Sequence, residues 1–295
     1  KEMKKFLSML LVAVGLVSCG DDDKPYIPEL NKLTSVTCTK NGNAFFNADI
    51  TYDQDKQINR IILTTEGNQF TDNYIIVDKT ISVSGVKMVD GSPTNPFVHT
   101  VYTLSGNMIA AKEEKAENEY INNAVYTQTE SSYTYSSNWL KSVSKVIRHA
   151  NKDGSYREIF VGEVDRYSWE NGNVVYYAEL PHKEITYEYD SQLRPANFPL
   201  RVVNSFQPVG FDMVSPINFM YGKMNQNLPT RAYWYYISGA ADIRAEYTFR
   251  YTLTGDYITG MTIEENIKPD LETGDPAENN TYEYAFVYNF VAEQK

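Results

Sequence analysis

Three tryptophans, three histidines and two cysteines are the residues of this 295-residue chain with the most specialised chemistry, and their spacing limits what each can do. His99, His149 and His182 stand apart, and none has a second His or Cys at metal-ligand spacing. No metal and no cofactor is therefore expected. Asp49, Asp53 and Asp55 offer oxygens of the kind calcium takes, but the stretch lacks the central Gly and closing Glu of a calcium loop and reads as a solvated turn. Gly-Xaa-Ser-Xaa-Gly, phosphate-loop and dinucleotide-binding patterns do not occur. Paired carboxylates for sugar hydrolysis would have to meet in space, and with 38 acids any pair chosen from the sequence is arbitrary. The aromatic residues carry the remaining chemistry, because flat Trp and Tyr faces stack on sugar rings and dominate binding hot spots. In a strand, Trp234 and Tyr236 share one face while Tyr235 points the other way. Trp139 and Trp169 stand beside expected hairpin turns. These four are the candidate ligand-binding residues, with ordinary sheet packing as the alternative for each; no catalytic residue is expected.

The elements that position this chemistry begin at the N-terminus. Lys4 and Lys5 precede an apolar run from Phe6 to Val17, which is 12 residues long. That is the length of a signal-peptide core, and short of the ~20 residues a membrane-spanning helix needs. The run closes on Leu16-Val17-Ser18-Cys19. This resembles the lipobox of bacterial lipoproteins, which implies cleavage of a signal peptide spanning 1–18 and a diacylglycerol thioether on Cys19. Acyl chains contribute ~0.8 kcal/mol per buried CH₂, and two or more hold a protein stably on a membrane. The following Gly20-Asp21-Asp22-Asp23-Lys24 is similar to the surface-export signal of Bacteroidota-type lipoproteins. It implies an outer-membrane protein facing the cell surface, the periplasmic face being the alternative. Residues 19–32 read as an acidic tether stiffened by Pro25 and Pro28.

The remainder, 33–295, reads as a single all-β domain. The chain is 42% hydrophobic and carries 24 tyrosines, which suit a pleated, half-wet surface. A net charge of −11 repels phosphate backbones, so nucleic acid is not an expected partner. With Cys19 assigned to lipid, Cys38 has no disulfide partner; the alternation of Val36-Thr-Cys-Thr39 makes it a small buried hydrophobe of a strand. Helical periodicity is scarce: Ala110–Ala124 suits a short surface helix or a charged loop, and Asn138–Ala150 suits a helix or a strand. Elsewhere aromatic alternation, a polar turn and aliphatic alternation recur, as in Ile50–Ile58, Val101–Ile109, Tyr133–Leu140, Tyr167–Val175, Tyr187–Leu193 and Tyr247–Ile258. Each unit has the chemistry of a β-hairpin. In series they give an antiparallel meander that must curve strongly or close like a barrel, with a β-sandwich as the alternative. The alternation of aromatics with Thr, Glu and Arg leaves no continuous lipid-facing band.

The Tyr-Xaa-Tyr-Asp hairpins resemble YD-type repeats. Met220-Tyr-Gly-Lys-Met-Asn-Gln-Asn-Leu-Pro229 resembles the Gly-Lys-centred signature of a Bacteroidota lipoprotein family of unknown function with a porin-like fold. The resemblance covers the chain from Leu33 onward and implies a curved antiparallel sheet. It carries over no functional residue beyond the lipobox. The function expected is a lipid-anchored envelope protein acting as a non-catalytic binding or scaffold module, for glycan or another envelope protein. A glycan-acting hydrolase and a purely structural envelope protein are the alternatives.

Overall fold

The computed structural model describes residues 33–54, 58–77, 79–89, 92–117, 124–151, 155–195, 198, 218, 220–236, 243–270 and 274–289. The expected signal segment 1–18, Cys19 and the expected tether 19–32 lie outside them. The described residues form β1 (Leu33–Lys40), β2 (Asn43–Tyr52), β3 (Ile58–Thr65), β4 (Asn68–Val77), β5 (Thr80–Val89), β6 (Ser92–Ser105), β7 (Met108–Glu117) and β8 (Ala124–Ser136). They continue with β9 (Trp139–Asn151), β10 (Tyr156–Glu170), β11 (Asn173–Glu179), β12 (Lys183–Leu193), β13 (Asn227–Tyr236), β14 (Ile243–Thr254), β15 (Tyr257–Ile267) and β16 (Glu278–Tyr288). Every strand pairs antiparallel with its neighbours in sequence, and β16 pairs with β1, so the meander is a closed barrel. The sandwich alternative is thereby set aside. The lower end is the one at which β1 begins; the turn after each even-numbered strand lies there, and the turn after each odd-numbered strand lies at the upper end.

Alternation fixes which way the sheet faces. Ala245, Tyr247 and Phe249 of β14, Met261 and Ile263 of β15, Tyr282, Tyr284 and Phe286 of β16, and Val36 and Cys38 of β1 are buried in one apolar cluster. The intervening residues point outward and include the bidentate Arg250–Glu264 pair, at 2.5 and 3.1 Å. On the far side Arg148 bridges outward to Glu130 at 2.7 Å and Glu158 at 3.6 Å. In these parts of the wall the outer face carries paired charges in mid-strand, which a lipid-embedded barrel does not, and such an outer surface is suited to water.

A repeated bond explains the tyrosine motif. At the lower end of each of six even-numbered strands, one aromatic donates to a main-chain carbonyl near the start of the preceding strand. Tyr52 Oη reaches Leu33 O at 2.6 Å, Tyr135 reaches Ile109 at 2.8 Å, and Trp169 Nε1 reaches Leu140 at 2.6 Å. Tyr189 reaches Val174 at 2.7 Å, Tyr251 reaches Pro229 at 3.0 Å, and Tyr288 reaches Ile258 at 2.9 Å. The recurring aromatic before the turn is thus a staple between the two strands of a pair.

Three expectations change. Ala110–Ala124 is not a helix: β7 runs through Glu117, residues 118–123 lie outside the described residues, and Ala124 opens β8. Pairing on both sides overrides helix propensity, and the charges are matched within the sheet, Lys112 to Glu114 at 2.7 Å and Lys115 to Glu113 at 3.0 Å. Tyr187–Leu193 does not turn back on itself. It lies within β12, whose register breaks between Tyr189 and Leu193 where Asp190 Oδ1 accepts the Gln192 N–H at 2.7 Å. Leu228-Pro229, which the sequence alone reads as a turn ahead of Trp234-Tyr235-Tyr236, is instead part of β13, where Pro229 sits beside a register shift that tolerates its missing donor. Asn138–Ala150 resolves as strand β9 after the turn.

Cys38 sits on the inner face of β1, buried and free. Burial pushes its thiol up to about 12, against a smaller opposing effect of the Tyr284 hydroxyl. Below the ordinary thiol range both folded and unfolded forms are protonated and nothing is lost. As pH rises from there towards 12, only the unfolded chain ionises, so stability must fall. The inner tyrosines Tyr52, Tyr284 and Tyr288 are raised by burial and act in the same direction at higher pH. The urea midpoint is therefore expected to be flat from about pH 7 to 8 and to drop above about pH 9. A midpoint that rises over that interval would contradict the assignment.

Candidate functional site

The structure does not bring the four candidate aromatics together. Trp139 and Trp169 flank the lower end; Trp234 and Tyr236 lie on the inner face at the upper end of β13.

At the lower end, the indoles of Trp139 and Trp169 lie 4.5 Å apart, and Lys223 Nζ sits 5.0 Å over the Trp139 ring. Lys223 belongs to the Gly-Lys signature, which forms a latch across this end. The Lys223 N–H donates to Asn138 O at 2.8 Å and the Gln226 N–H to Gly172 O at 2.9 Å, tying the connection to two hairpin turns. Both turns have positive φ at their two central residues, Ser137-Asn138 at 51° and 68° and Asn171-Gly172 at 48° and 78°. Asn225 Oδ1 accepts the buried Val174 N–H at 3.0 Å, and Asn173 and Asn227 exchange hydrogen bonds at 2.8 and 3.0 Å. Gly222 has φ +86°, and a Cβ there would lie 2.5 Å from Asn138 O, so no other residue fits. Phe198 inserts edge-on against Tyr251 and Phe286, and Arg194 donates to its carbonyl. Burial lowers Arg194 to about 10.

At the upper end, cross-strand register assembles a different arrangement. Asp165 is opposite Glu179, Glu179 opposite Lys183, and Lys183 opposite Tyr236, one lateral row across β10, β11, β12 and β13. Paired residues share a face, and the next row down is Tyr167, Tyr177, Ile185 and Trp234, which is apolar and inward. The result is a charged row over an aromatic floor. Lys183 Nζ lies 5.4 Å over the Trp234 ring, and Tyr236 meets Trp234 edge-to-face at 5.4 Å. Tyr177 Oη donates to Asp165 Oδ1 at 2.7 Å. Burial, then Asp165, raises Tyr177; burial lowers Lys183, with Glu179 pulling the other way. Glu179 and Tyr236 reach solvent. Trp234 Nε1 is buried and has no hydrogen-bond partner among the described residues. β10 continues above Asp165 without a β11 partner, and Tyr156–Val161 project exposed beside the row.

A second inner polar group lies in β15 and β16. The Glu265 carboxylate is buried and accepts from Asn280 Nδ2 at 2.9 Å and Tyr282 Oη at 3.1 Å. Burial, then this carboxylate, pushes Tyr282 and Tyr247 up. Among the described residues, no three His, Cys, Asp or Glu side chains are grouped as a metal centre requires. His182 is exposed in the β11–β12 turn, and Asp55 lies outside the described residues.

Lys183, Glu179 and Asp165 were not singled out from the sequence. The signal that could find them is parity: Lys183 falls on the same face as Ile185 and Tyr187, and Glu179 on the same face as Tyr177. A charge in phase with apolar residues points inward.

The fold and its two ends define a closed, sixteen-strand antiparallel barrel with an inner apolar cluster, buried polar groups around Glu265 and a polar row at one rim. The chain belongs to the family described as domain of unknown function DUF5032, whose model matches residues 20–293. No curated protein matches it. A crystal structure of a porin-like protein from Bacteroides vulgatus is similar over 88% of this chain and 99% of its own, at 13% identity and a TM-score of 0.40.

Proposed function

We propose that this chain is a lipid-anchored protein of a bacterial outer membrane, acylated on Cys19 and presenting its barrel to water at the cell surface as a non-catalytic binding module. The Lys4-Lys5, apolar run and Leu16–Cys19 sequence carries this reading. Two further observations support it. The family match starts at residue 20, directly after that cysteine. The outer faces of the strands bear ion pairs in mid-strand, so the barrel needs a separate anchor to stay at a membrane. β1 begins at the lower, latched end, and the charged row lies at the opposite end of the barrel.

Growth with labelled palmitate tests the anchor: label is expected in the wild-type chain and absent from Cys19→Ala. Equal labelling of both ends the lipoprotein reading. Protease applied to intact cells is expected to degrade the barrel; protection until the outer membrane is opened places it on the periplasmic face.

A further inference from the structure

We propose that the row Asp165–Glu179–Lys183–Tyr236, with Trp234 beneath it, is a binding site for a neutral saccharide. This deepens the reading of the chain as a binding module and is independent of the lipid anchor.

The Trp234 indole, Lys183 and Glu179 each have hydrogen-bonding capacity that a ligand can meet. The Trp234 N–H is buried and lacks an acceptor. Native proteins rarely leave such a donor unmet, since an unsatisfied buried polar group costs about 1–3 kcal/mol. The Lys183 ammonium is held over the indole and is short of water, so it too seeks acceptors. Glu179 is exposed at the rim and accepts only. Asp165 accepts from Tyr177 and holds a second carboxylate beside the row. The Tyr236 ring is 41% exposed beside these groups and offers a flat face.

The ligand must therefore donate to carboxylates, accept from an indole and an ammonium, and lay an apolar face on an aromatic ring. Hydroxyl groups do the first two at once, and the C–H face of a pyranose does the third. An anion is repelled by two carboxylates against one ammonium. A metal ion lacks a third ligand, since among the described residues no three His, Cys, Asp or Glu side chains are grouped here. A lipid chain would offer nothing to the indole N–H, the Lys183 ammonium or the Glu179 carboxylate. A free amino acid could pair with Lys183 and Glu179, but its carboxylate faces two acids against one ammonium.

The test uses the purified full-length chain in detergent on an array of neutral glucans, mannans, galactans and xylans. The best binder is then titrated by calorimetry and tryptophan fluorescence. Saturable binding with a change in tryptophan emission is expected. Glu179→Gln, at an exposed position that does not threaten the fold, is expected to weaken it about tenfold. Trp234→Phe keeps a ring, deletes the N–H and is expected to do the same, with unchanged circular dichroism. Three results would overturn the assignment: no neutral saccharide binds, binding is unaltered in both variants, or amino acids compete for the site more strongly than sugars. Binding that survives both variants leaves the chain a binding module with its site elsewhere. Palmitate labelling is unaffected by any of these outcomes.

Discussion

Replacing Gly222 with Val is expected to lower the melting temperature by roughly 10 °C, about 3–4 kcal/mol at roughly 2–4 °C per kcal/mol for a domain of this size. The backbone at Gly222 has φ +86°, where a residue with a Cβ costs about 1–2 kcal/mol. The added carbon would also lie 2.5 Å from Asn138 O and 3.0 Å from the Tyr135 ring. Neither can yield cheaply. Asn138 O accepts the Lys223 N–H, and Tyr135 is stapled to Ile109 O. Moving the loop instead breaks the Lys223 and Gln226 bonds to the two turns, at about 1 kcal/mol each. Gly67→Asn is the control: it also has positive φ, but its Cβ would meet nothing within 4 Å, and Asn tolerates that conformation. Scanning calorimetry should show Gly67→Asn near wild type and Gly222→Val far below. Equal shifts in the two would mean that strain alone, and not the latch, is being measured.

Glu265→Ala is expected to cost about 2–5 kcal/mol, because it strips the acceptor from two buried donors at once. Asn280 Nδ2 and Tyr282 Oη both point at this carboxylate in the barrel wall. Glu265→Gln keeps one acceptor oxygen and removes the charge, so its loss should be less than half as large. The urea midpoint of each variant separates the cases. If Gln proves as damaging as Ala, the charge matters rather than the acceptor.

Much of the fold was legible because strand chemistry is local. Alternation and the polar turns placed most hairpins, and Cys38 was read correctly as a buried residue of a strand. Two things hid the rest. Ala110–Ala124 has helical composition, and only the strands on either side hold it extended. The closure of β16 onto β1 depends on residues at opposite ends of the sequence, which no local pattern records. The candidate site was half legible: Trp234 and Tyr236 were visible as a pair. Lys183, Glu179 and Asp165 were lost among many surface charges, because only strand register shows that they form one row. Conversely, the Gly-Lys signature reads as a family mark without a mechanism, and the structure shows it hydrogen-bonded to two hairpin turns at one end of the barrel.

The seam between β1 and β16 also orders events in time. Thr34 donates to Val287 O, a bond between residues 253 apart in sequence. A chain delivered from its N-terminus offers β1 with one edge bare until the last strand has followed it. Until then the sheet is an open ribbon with two sticky margins, and its apolar lining is in water. The same single bond line that makes the finished barrel edgeless makes its assembly wait on the final eleven residues of strand, Glu278–Tyr288. A cell making such a chain has reason to keep it escorted until the ring has shut.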